Sequence, residues 1–598
     1  MAVETGDNVT RKYANFRGVD FRGEECSLNR SPDSLNVWKN YKKLACIETR
    51  PGLEHLHADE DGIRCMMWDN GKLYYIDNKG YLNALEFNKD KAQVAEICFI
   101  GENGVLFSFG GKLYAMGTER YQNVTDKKEV VPYIPTTSIA RKPSGGGKIH
   151  EDVNLLTNRR INTFLADGVS TNYFVDAPYI SMGGKIIVKH NDVALKGMHE
   201  VKEGEEDDSD YYVEWNSGFI DFKKPPSAPL TVGRDNVSIE FTHDSEQSYN
   251  GGVDESENKR NKILQCTLTQ EFDNRVFFSG NPDEPNMVRH CSLENPGYVS
   301  DLDYYADGAD STPIRSMVAG NNGLWVFRDY SPSNNNVFYH TPALDDDYGK
   351  IYPSSHSSIA IGCVGRACNF NDDIVFFSRR GMEGASTDIT TEQFVTHRSS
   401  LVDRMMLTND KYKDMVLAEW EGYLFVFIGS NVYLADSRAV TTIENHIEYE
   451  WYHWNLGDGV VVASAVVHDG ILYIGTKDGH IYSFTRDPKE GDIHSGQVHE
   501  SINSYWTTPL DRFGAQNKLK TTNKKGCVVE AKGDISVYVK VEDTDFEYIG
   551  TYENIEDYFA SRIKRKKWKD IQLKFQSNTQ FSLETATLEA YVGGYIKR

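Results

Sequence analysis

The stretch DGILYIGTKDGHIYSF at residues 469–484 decides the fold that this sequence predicts. It contains a two-residue turn, a short apolar strand, a second Asp-Gly turn and another strand, which is the pattern of the inner half of a small antiparallel sheet. The same pattern recurs without a gap at residues 70–82 and more loosely at 111–116. Weaker copies lie at residues 274–278, 322–327, 373–377 and 422–427.

The spacing of these copies is nearly regular. The first apolar residue after each turn lies at position 73, 113, 276, 324, 374, 424 or 472, so the intervals are 40, 163, 48, 50, 50 and 48 residues. A repeat of about 40 to 50 residues built from short strands and turns is typical of a β-propeller, with one blade per repeat. A single copy would fit any all-β protein. The near-equal intervals favour an all-β propeller of about seven blades.

The long interval between positions 113 and 276 predicts an insertion. Subtracting one ordinary blade leaves about 115 residues outside the repeat. Segments between about 152 and 245, such as residues 185–190 and 236–242, tend to alternate polar and apolar side chains. This pattern favours a small β-sandwich with one solvated face. The Pro- and Gly-rich residues 132–149 are predicted to form a flexible linker into it.

These features divide the chain into five predicted parts. Residues 1–60 supply strands that close the propeller, because a ring of blades leaves no open edge when the two chain ends share a sheet. Residues 61–150 and 262–490 form the blades, residues 151–261 form the inserted β-domain, and residues 491–598 form a C-terminal β-domain.

The composition agrees with a mainly β fold. The 598 residues include 34 Tyr and 28 Phe, and long apolar patterns of helical period are hard to find. No run of eighteen apolar residues occurs and residues 1–11 are polar. We therefore expect neither a membrane span nor a secretory signal, and folding in a cytoplasm. Nine cysteines without a CxxC pair predict reduced thiols rather than disulfides or structural zinc.

The formal net charge of −23 argues against nucleic-acid binding over the whole surface, because phosphate contacts require clustered Lys and Arg. It leaves open a protein that encloses DNA without holding it, since an acidic wall repels phosphates. One dense basic cluster interrupts this acidity. It consists of Arg562, Lys564, Arg565, Lys566, Lys567 and Lys569, with Trp568 among them. These cations could contact DNA, pair with an acidic face of a neighbouring subunit, or solubilise a strand.

Signatures of catalysis are missing from the sequence. The Asp-box of sialidases, HExxH, GxSxG and paired metal-ligand histidines do not occur, and Trp68-Asp69 is an isolated WD dipeptide. In the Gly-rich residues 143–149 an Ile follows Lys148 where a phosphate loop needs Ser or Thr. The acidic residues 203–210 lack the regular spacing of a calcium loop. We expect no enzymatic activity, no catalytic residues, no cofactor and no metal.

Three phrases of the sequence stand out together. The first is SLNVW at residues 34–38, followed by ETRPGL at 48–53. The second is EDVNLLTNRRI at residues 151–161, and the third is SGNPDEPN at residues 279–286. These phrases resemble a known family, the tail nozzle (tail tubular protein B) and packaged-DNA stabilisation proteins of tailed phages. The second phrase is similar to the one that enters the inserted domain of these proteins.

The resemblance implies a structural virion protein without an active site. It implies a homo-oligomeric ring, a hexamer, in the virion tail below the portal and adaptor, assembled in the host cytoplasm. Double-stranded DNA would be retained by this ring and would pass through its channel during ejection without sequence-specific contacts. Portal, adaptor and other tail proteins are the implied partners.

An alternative from another class remains open at this stage. Propellers also bind or cleave glycans, so a receptor-binding tail protein with a glycan-binding or glycan-cleaving propeller would share the fold.

Overall fold

The computed structural model describes residues 5–43, 46–88, 91–201, 206–244, 255–345, 349–358, 361–385, 395–443, 446–563 and 567–595. Strands dominate these residues, as predicted. The chain divides into two compact units. One consists of Met1–Cys98 and Arg315–Arg598, and the other of Phe99–Ile314.

Seven sheets of four strands each are the blades of a β-propeller, which confirms the predicted fold class. Every marker position of the sequence repeat lies in the second strand of one blade. Most residues of these second strands are buried, and all six residues of Gly323–Arg328 and of Tyr423–Ile428 are. The blades are numbered here in the order of their second strands.

The strands of each blade are given in their order in the sheet. Blades 1 to 3 are Ile63–Asp69, Lys72–Asp77, Tyr81–Asn88 and Lys91–Phe99; Val105–Phe109, Lys112–Met116, Tyr121–Asn123 and Lys128–Glu129; and Leu268–Phe272, Arg275–Ser279, Met287–His290 and Tyr304–Ala306. Blades 4 and 5 are Ile314–Gly320, Gly323–Arg328, Val337–His340 and Ser354–Ser358; and Ala367–Phe370, Asp373–Ser378, Gly381–Ala385 and Val395–His397. Blades 6 and 7 are Val416–Trp420, Tyr423–Ile428, Asn431–Ile443 and His446–Asn455; and Val462–His468, Ile471–Thr476, His480–Arg486 and Gly52–Ala58. A two-stranded hairpin, Ala343–Asp345 with Gly349–Ile351, extends from blade 4.

The first two strands of every blade are joined by a two-residue turn with both residues at positive φ. The pairs are 70–71, 110–111, 273–274, 321–322, 371–372, 421–422 and 469–470, and their φ angles range from 47° to 76°. Positive φ at both central residues defines the type I′ turn, whose twist matches that of the flanking strands. Gly, Asn and Asp adopt this conformation at least cost, and Glu421 is the one residue of another type in these fourteen positions.

Blade 7 contains strands from distant parts of the chain. Its fourth strand, Gly52–Ala58, pairs antiparallel with His480–Arg486, so that Ala58 lies opposite His480 and Glu54 opposite Ser483. The closing strand is followed directly by blade 1, whose Met66 amide donates a hydrogen bond to Ser464 of blade 7 over 3.0 Å. A strand from the N-terminal region thus completes the last blade.

The insertion consists of two sheets. One has six strands in the order Lys148–Ile149, Thr136–Arg141, Arg159–Phe164, Val237–Thr242, Ile187–His190 and Val193–Ala194, and the other has three, Asn172–Phe174, Phe219–Phe222 and Tyr211–Glu214. Buried Val188, Ile239 and Phe241 of the first sheet share a core with Tyr173 and Ile220 of the second. This is the predicted β-sandwich. Residues 136–141 and 148–149, which we predicted as linker, instead supply two strands of it.

An eleven-stranded sheet contains the C-terminal β-domain. Its central path is Ser34–Leu35, Ser504–Thr507, Ile571–Ser577, Lys518–Val541, Phe581–Tyr595, Ile47–Thr49 and Val37–Lys39. Asn8–Ala14 pairs with Phe581–Tyr595, and the strands Glu547–Ile555, Tyr558–Ser561 and Lys567–Trp568 pair with Lys518–Val541. We call this the C-terminal sheet. The N-terminal region therefore contributes strands both to this sheet and to blade 7.

The remaining elements are short. Two-stranded sheets pair Gly18–Val19 with Arg30–Ser31 and Asp492–His494 with Val498–Glu500. In the described residues α-helix is limited to Glu255–Leu264 and Asp403–Met406, and 3-10 turns are Met198–Glu200, Tyr412–Asp414, Pro488–Glu490 and Ser495–Gln497. No helix within these ranges has the length and apolar character needed to cross a bilayer. All nine cysteines are free thiols, and five of them are buried.

Replacing Glu421 by Asn should stabilise the protein by about 0.5–1 kcal/mol, because a non-Gly residue other than Asn or Asp pays most for positive φ. The variant loses the ion pair between Lys42 and Glu421, but this pair is exposed and contributes little. Chemical denaturation of the two proteins measures the difference. As a matched control, Asn70→Ala in the corresponding turn of blade 1 should destabilise. Equal stability of Glu421→Asn and the natural protein would contradict the argument.

Candidate functional site: a basic patch on the C-terminal sheet

The basic cluster of the sequence lies beside the longest strand of the protein, Lys518–Val541. The register of this strand against Phe581–Tyr595 shifts between Thr522 and Cys527, so residues 523–526 form a bulge. Gly526 in this bulge has a φ of 72°, and a Cβ atom there would lie 2.0 Å from the Ser561 carbonyl oxygen. The bulge therefore lies directly against the backbone that leads into the cluster.

Trp568 anchors the cluster to the sheet. Residues Lys567–Trp568 pair with the long strand, and the Trp568 side chain is only 1% exposed. Its ring lies edge-on to Phe513 at a centroid distance of 5.3 Å, and its Nε1 donates to Thr522 Oγ1 over 3.1 Å. Because neighbouring strand residues point to opposite faces, the burial of Trp568 directs Lys567 outward. Trp568 is therefore unavailable for stacking on nucleic-acid bases, although its place among the cations in the sequence is compatible with that role.

Five exposed cations make up the basic patch. They are Lys524, Lys525, Arg562, Lys567 and Lys569. None of the five forms an ion pair with a carboxylate of the described residues, whereas Arg512 nearby is paired with Glu25 over 2.7 Å. Three members of the predicted cluster, Lys564, Arg565 and Lys566, lie outside the described residues.

Lys524 and Lys525 were missed in the sequence analysis. They precede Arg562 by almost 40 residues, and only the bulge at 523–526 brings them beside it. The short run Lys-Lys-Gly is a weak signal for such a bulge, because Gly often marks an irregularity inside a strand.

An exposed tyrosine borders the basic patch. Lys567 lies opposite Thr521, and Thr521 lies opposite Tyr591 on the other side, so the three residues form one row across the sheet. Directly paired residues share a face, and Tyr591 is 47% exposed. One carboxylate, that of Glu589, lies on the same strand and accepts a hydrogen bond from Asn523 over 2.7 Å. The surface thus offers cations and an aromatic ring to a partner.

A buried lysine supports this surface from below. Lys520 is fully buried, and its Nζ donates to the Lys569 carbonyl oxygen over 2.6 Å. The same ammonium lies 5.9 Å from the centre of the Trp568 ring. Burial lowers the pKa of Lys520 to about 8, against the opposing effect of Asp570 and Asp511. Lys520 fixes the backbone from which Lys569 projects.

A separate group of carboxylates offers oxygen ligands to a cation. Asp59, Asp61 and Asp77 each place an oxygen atom within 4.8 Å of the others, between the closing strand and blade 1. Protein donors already serve all three: Tyr75 donates to Asp59, Lys79 pairs with Asp61, and the Tyr81 amide donates to Asp77. These contacts account for the cluster without a metal ion.

A half-buried histidine in blade 5 lies between two acids. His397 contacts Asp403 at 2.7 Å and Glu383 at 3.4 Å. Burial alone would lower its pKa, but the hydrogen bonds to Asp403 and Glu383 raise the pKa to about 10. Ser399 donates to Asp403 over 2.6 Å rather than to the imidazole. A charged histidine without a serine partner lacks the arrangement of a nucleophilic triad.

Comparison with known proteins finds similarity to solved structures of low sequence identity. No family model matches the chain, and no curated protein matches it. Among solved structures, the computationally designed Ika8 protein is 10% identical and covers 72% of this chain and 99% of its own, with a TM-score of 0.29. BamB from Moraxella catarrhalis is 10% identical, with 75% and 93% covered and a TM-score of 0.30. The WD40 β-propeller domain of Doa1 is 8% identical, with 73% and 96% covered and a TM-score of 0.30. The fold assignment rests on the seven four-stranded sheets themselves.

Stability should rise with pH between about 8 and 10.4 through Lys520. Its pKa in the folded protein is about 8, below the value of about 10.4 in an unfolded chain. In this window the unfolded state therefore binds more protons, and the free energy of unfolding increases with pH. Lys520→Met should flatten this rise, as measured by urea denaturation at pH 7.5, 9 and 10. Lys532→Met, an exposed lysine of the same strand, is the control; parallel curves for the natural protein and Lys520→Met would exclude the assignment.

Proposed function

We propose that this chain is a structural virion protein, one subunit of a ring-shaped tail nozzle below the portal and adaptor of a tailed phage. The ring, a homohexamer, retains packaged DNA and conducts it during ejection. The observation that carries the proposal is the position of the three sequence phrases that resemble the nozzle family. Each phrase contains a buried polar side chain that joins separate segments of the chain. We call these contacts polar joints, and they serve assembly of the fold rather than chemistry.

The first phrase joins the N-terminal region to blade 7. The guanidinium of Arg50 is 1% exposed and donates to both oxygens of Asp492, over 3.0 and 2.6 Å. Its Nε donates to Asn36 over 3.1 Å, and Asp492 also accepts the amide of Leu53 over 2.8 Å. A bidentate pair with this many partners positions the closing strand where the chain enters blade 7.

The second and third phrases make comparable joints beside blade 3. Asn154 is 1% exposed; its amide group donates to the carbonyl oxygens of Tyr133 and Gly297, both over 2.8 Å, and its Oδ1 accepts the Val299 amide. Asn281, at 4% exposure, donates to the carbonyl oxygen of Lys262 at the end of a helix. Buried amides that bridge separate backbone segments are costly to leave unsatisfied, so such joints tolerate few substitutions.

The charge distribution also supports a conduit. A net charge of −23 disfavours adhesion of DNA to most of the surface. The basic patch is a local exception that suits one contact, either with the DNA backbone or with an acidic face of a neighbouring subunit. In the proposed nozzle, a rigid propeller would form a suitable wall for the channel.

An image of the native assembly tests the proposed function. We expect electron microscopy of the assembled particle, with a tag on this chain, to locate a six-membered ring with a central channel at a capsid vertex. Two outcomes would refute the proposed nozzle function. The tagged chain could lie in a peripheral fibre, or it could stay monomeric in the presence of portal and adaptor.

Neutralising the basic patch should weaken its polyanion contact. A variant with Gln at Lys524, Lys525, Arg562, Lys567 and Lys569 should reduce the slope of log K against log salt for a DNA duplex by up to about 4.5, since each phosphate contact contributes about 0.9. Fluorescence anisotropy at several salt concentrations measures this slope.

The matched control removes the same charge elsewhere. Its substitutions to Gln are at exposed Lys148, Lys185, Lys224, Lys413 and Lys489. If both variants weaken DNA binding equally, the effect belongs to net charge and not to the patch. If the patch variant binds DNA normally but fails to form rings, the patch is a subunit contact.

A further inference from the structure

The outward face of the three-stranded sheet in the insertion carries an ordered set of polar and aromatic side chains. Tyr173, Tyr211 and Ile220 point into the sandwich core. Their neighbours in each strand therefore point outward. The register aligns these outward residues in two rows across the sheet. One row is Asn172, Asp221 and Tyr212, and the other is Phe174, Phe219 and Glu214.

A cavity of about 560 Å³ lies against these rows, within the size range of small-ligand sites. Asn172, Phe219, Asp221 and Glu214 line it from the sheet, and Trp215 and His199 line it from the side. Every one of these residues belongs to the inserted domain. The site is therefore contained in one compact part of the chain.

The aromatic rings of Phe219 and Trp215 line the cavity. Phe174, the neighbour of Phe219 in the same row, is 37% exposed, and its ring lies 4.8 Å from that of Phe219. The Trp215 ring meets His199 edge-on at 5.8 Å. Flat apolar surfaces at the rim of a polar cavity are suited to the C–H face of a sugar ring.

The two carboxylates of the cavity are free acceptors. Neither Glu214 nor Asp221 receives a side-chain hydrogen bond or an ion pair from the described residues. The nearest possible donors serve another acid, because Lys223 pairs with Asp207 at 2.7 Å and the Tyr212 hydroxyl donates to Asp207 over 2.9 Å. Asn172 adds an amide with two donor hydrogens on the same row.

We propose that this cavity binds a neutral or amino-substituted saccharide of one to three units. The apolar face of a pyranose would lie on Phe219, its hydroxyls would donate to Glu214 and Asp221, and another hydroxyl oxygen would accept from Asn172. Groups that both donate and accept satisfy carboxylates and an amide together, whereas an ammonium or guanidinium only donates. Uronic acids and sugar phosphates are disfavoured by the two carboxylates. The site lies outside the propeller blades and is independent of the nozzle function.

Titration of the full chain with defined oligosaccharides tests this site. The probes are disaccharides and trisaccharides of glucose, galactose, mannose, N-acetylglucosamine and glucosamine, followed by calorimetry and by tryptophan fluorescence. We expect at least one to bind with a Kd below about 10 mM and to change the emission in a manner that Trp215→Phe abolishes. Tetralysine is the competing cationic probe.

Substitutions that preserve shape locate the binding. Glu214→Gln and Asp221→Asn remove charge from side chains that have no side-chain partner among the described residues, so the fold should be kept, and each should weaken binding at least tenfold. Phe219→Leu should weaken it comparably. Asp192→Asn, the same chemical change at an exposed hairpin turn of the same domain, should leave it unchanged.

Three results would overturn the proposal. They are the absence of binding for every saccharide at about 10 mM, binding that survives Glu214→Gln with Asp221→Asn, and binding of tetralysine alone with a strong dependence on salt. The last result would assign the cavity to a basic peptide segment.

Discussion

The left-handed turn that opens each blade is the constraint on which the propeller depends. Two residues at positive φ reverse the chain so tightly that the first and second strands are in register from their first pair, as in Asp69 opposite Lys72 and His468 opposite Ile471. The second strand is then buried along most of its length, as in Gly323–Arg328 and Tyr423–Ile428. A slip of one residue would turn the apolar side chains of the second strand to the opposite face of the sheet. The residues of the turn therefore fix which side chains enter the core.

Polar joints fix the segments that the turns do not reach. Arg50 with Asp492, and Asn154 with its carbonyl partners, hold chain segments that are far apart in sequence. An unsatisfied buried amide costs about 1–3 kcal/mol and a buried charge without its partner about 3–5 kcal/mol, so these contacts define single positions for the segments that carry them. The C-terminal sheet follows the same logic, because buried Lys520 and Trp568 hold the base from which exposed cations project.

The repeat could be predicted because each blade contains a recognisable pattern within a short stretch of sequence. A Gly, Asn or Asp turn and an apolar strand are visible in a window of ten residues, and all seven markers proved to be second strands. The strands from 34–39 and 47–49 in the C-terminal sheet could not be predicted, since pairing across several hundred residues leaves no local pattern. The helix Glu255–Leu264 was also missed, because its sequence is polar up to the apolar pair Ile263 and Leu264 and therefore shows no helical periodicity.

The candidate site likewise contains some residues that the local sequence reveals and others that only the fold brings to it. Arg562, Lys567 and Lys569 are a run that composition alone reveals, whereas Lys524, Lys525 and Tyr591 join them only through a bulge and a cross-strand register. Trp568 illustrates the opposite error, because a sequence does not tell whether an aromatic residue among cations points outward or inward. In the insertion, Glu214 and Asp221 lie in strands whose alternation was recognised, but their lack of partners is a property of the folded neighbourhood.

The origin of the fourth strand of blade 7 sets an order of events during synthesis. About 420 residues separate Ala58 from its partner His480, so the closing strand leaves the ribosome long before the sheet that it completes. At roughly 5–20 residues per second this delay amounts to roughly 20–80 s. During that time the segment 52–58 has an unpaired edge, and such edges pair readily with other chains. Its polar residues Glu54, His55 and His57 disfavour such pairing before the partner strand of blade 7 has been synthesised.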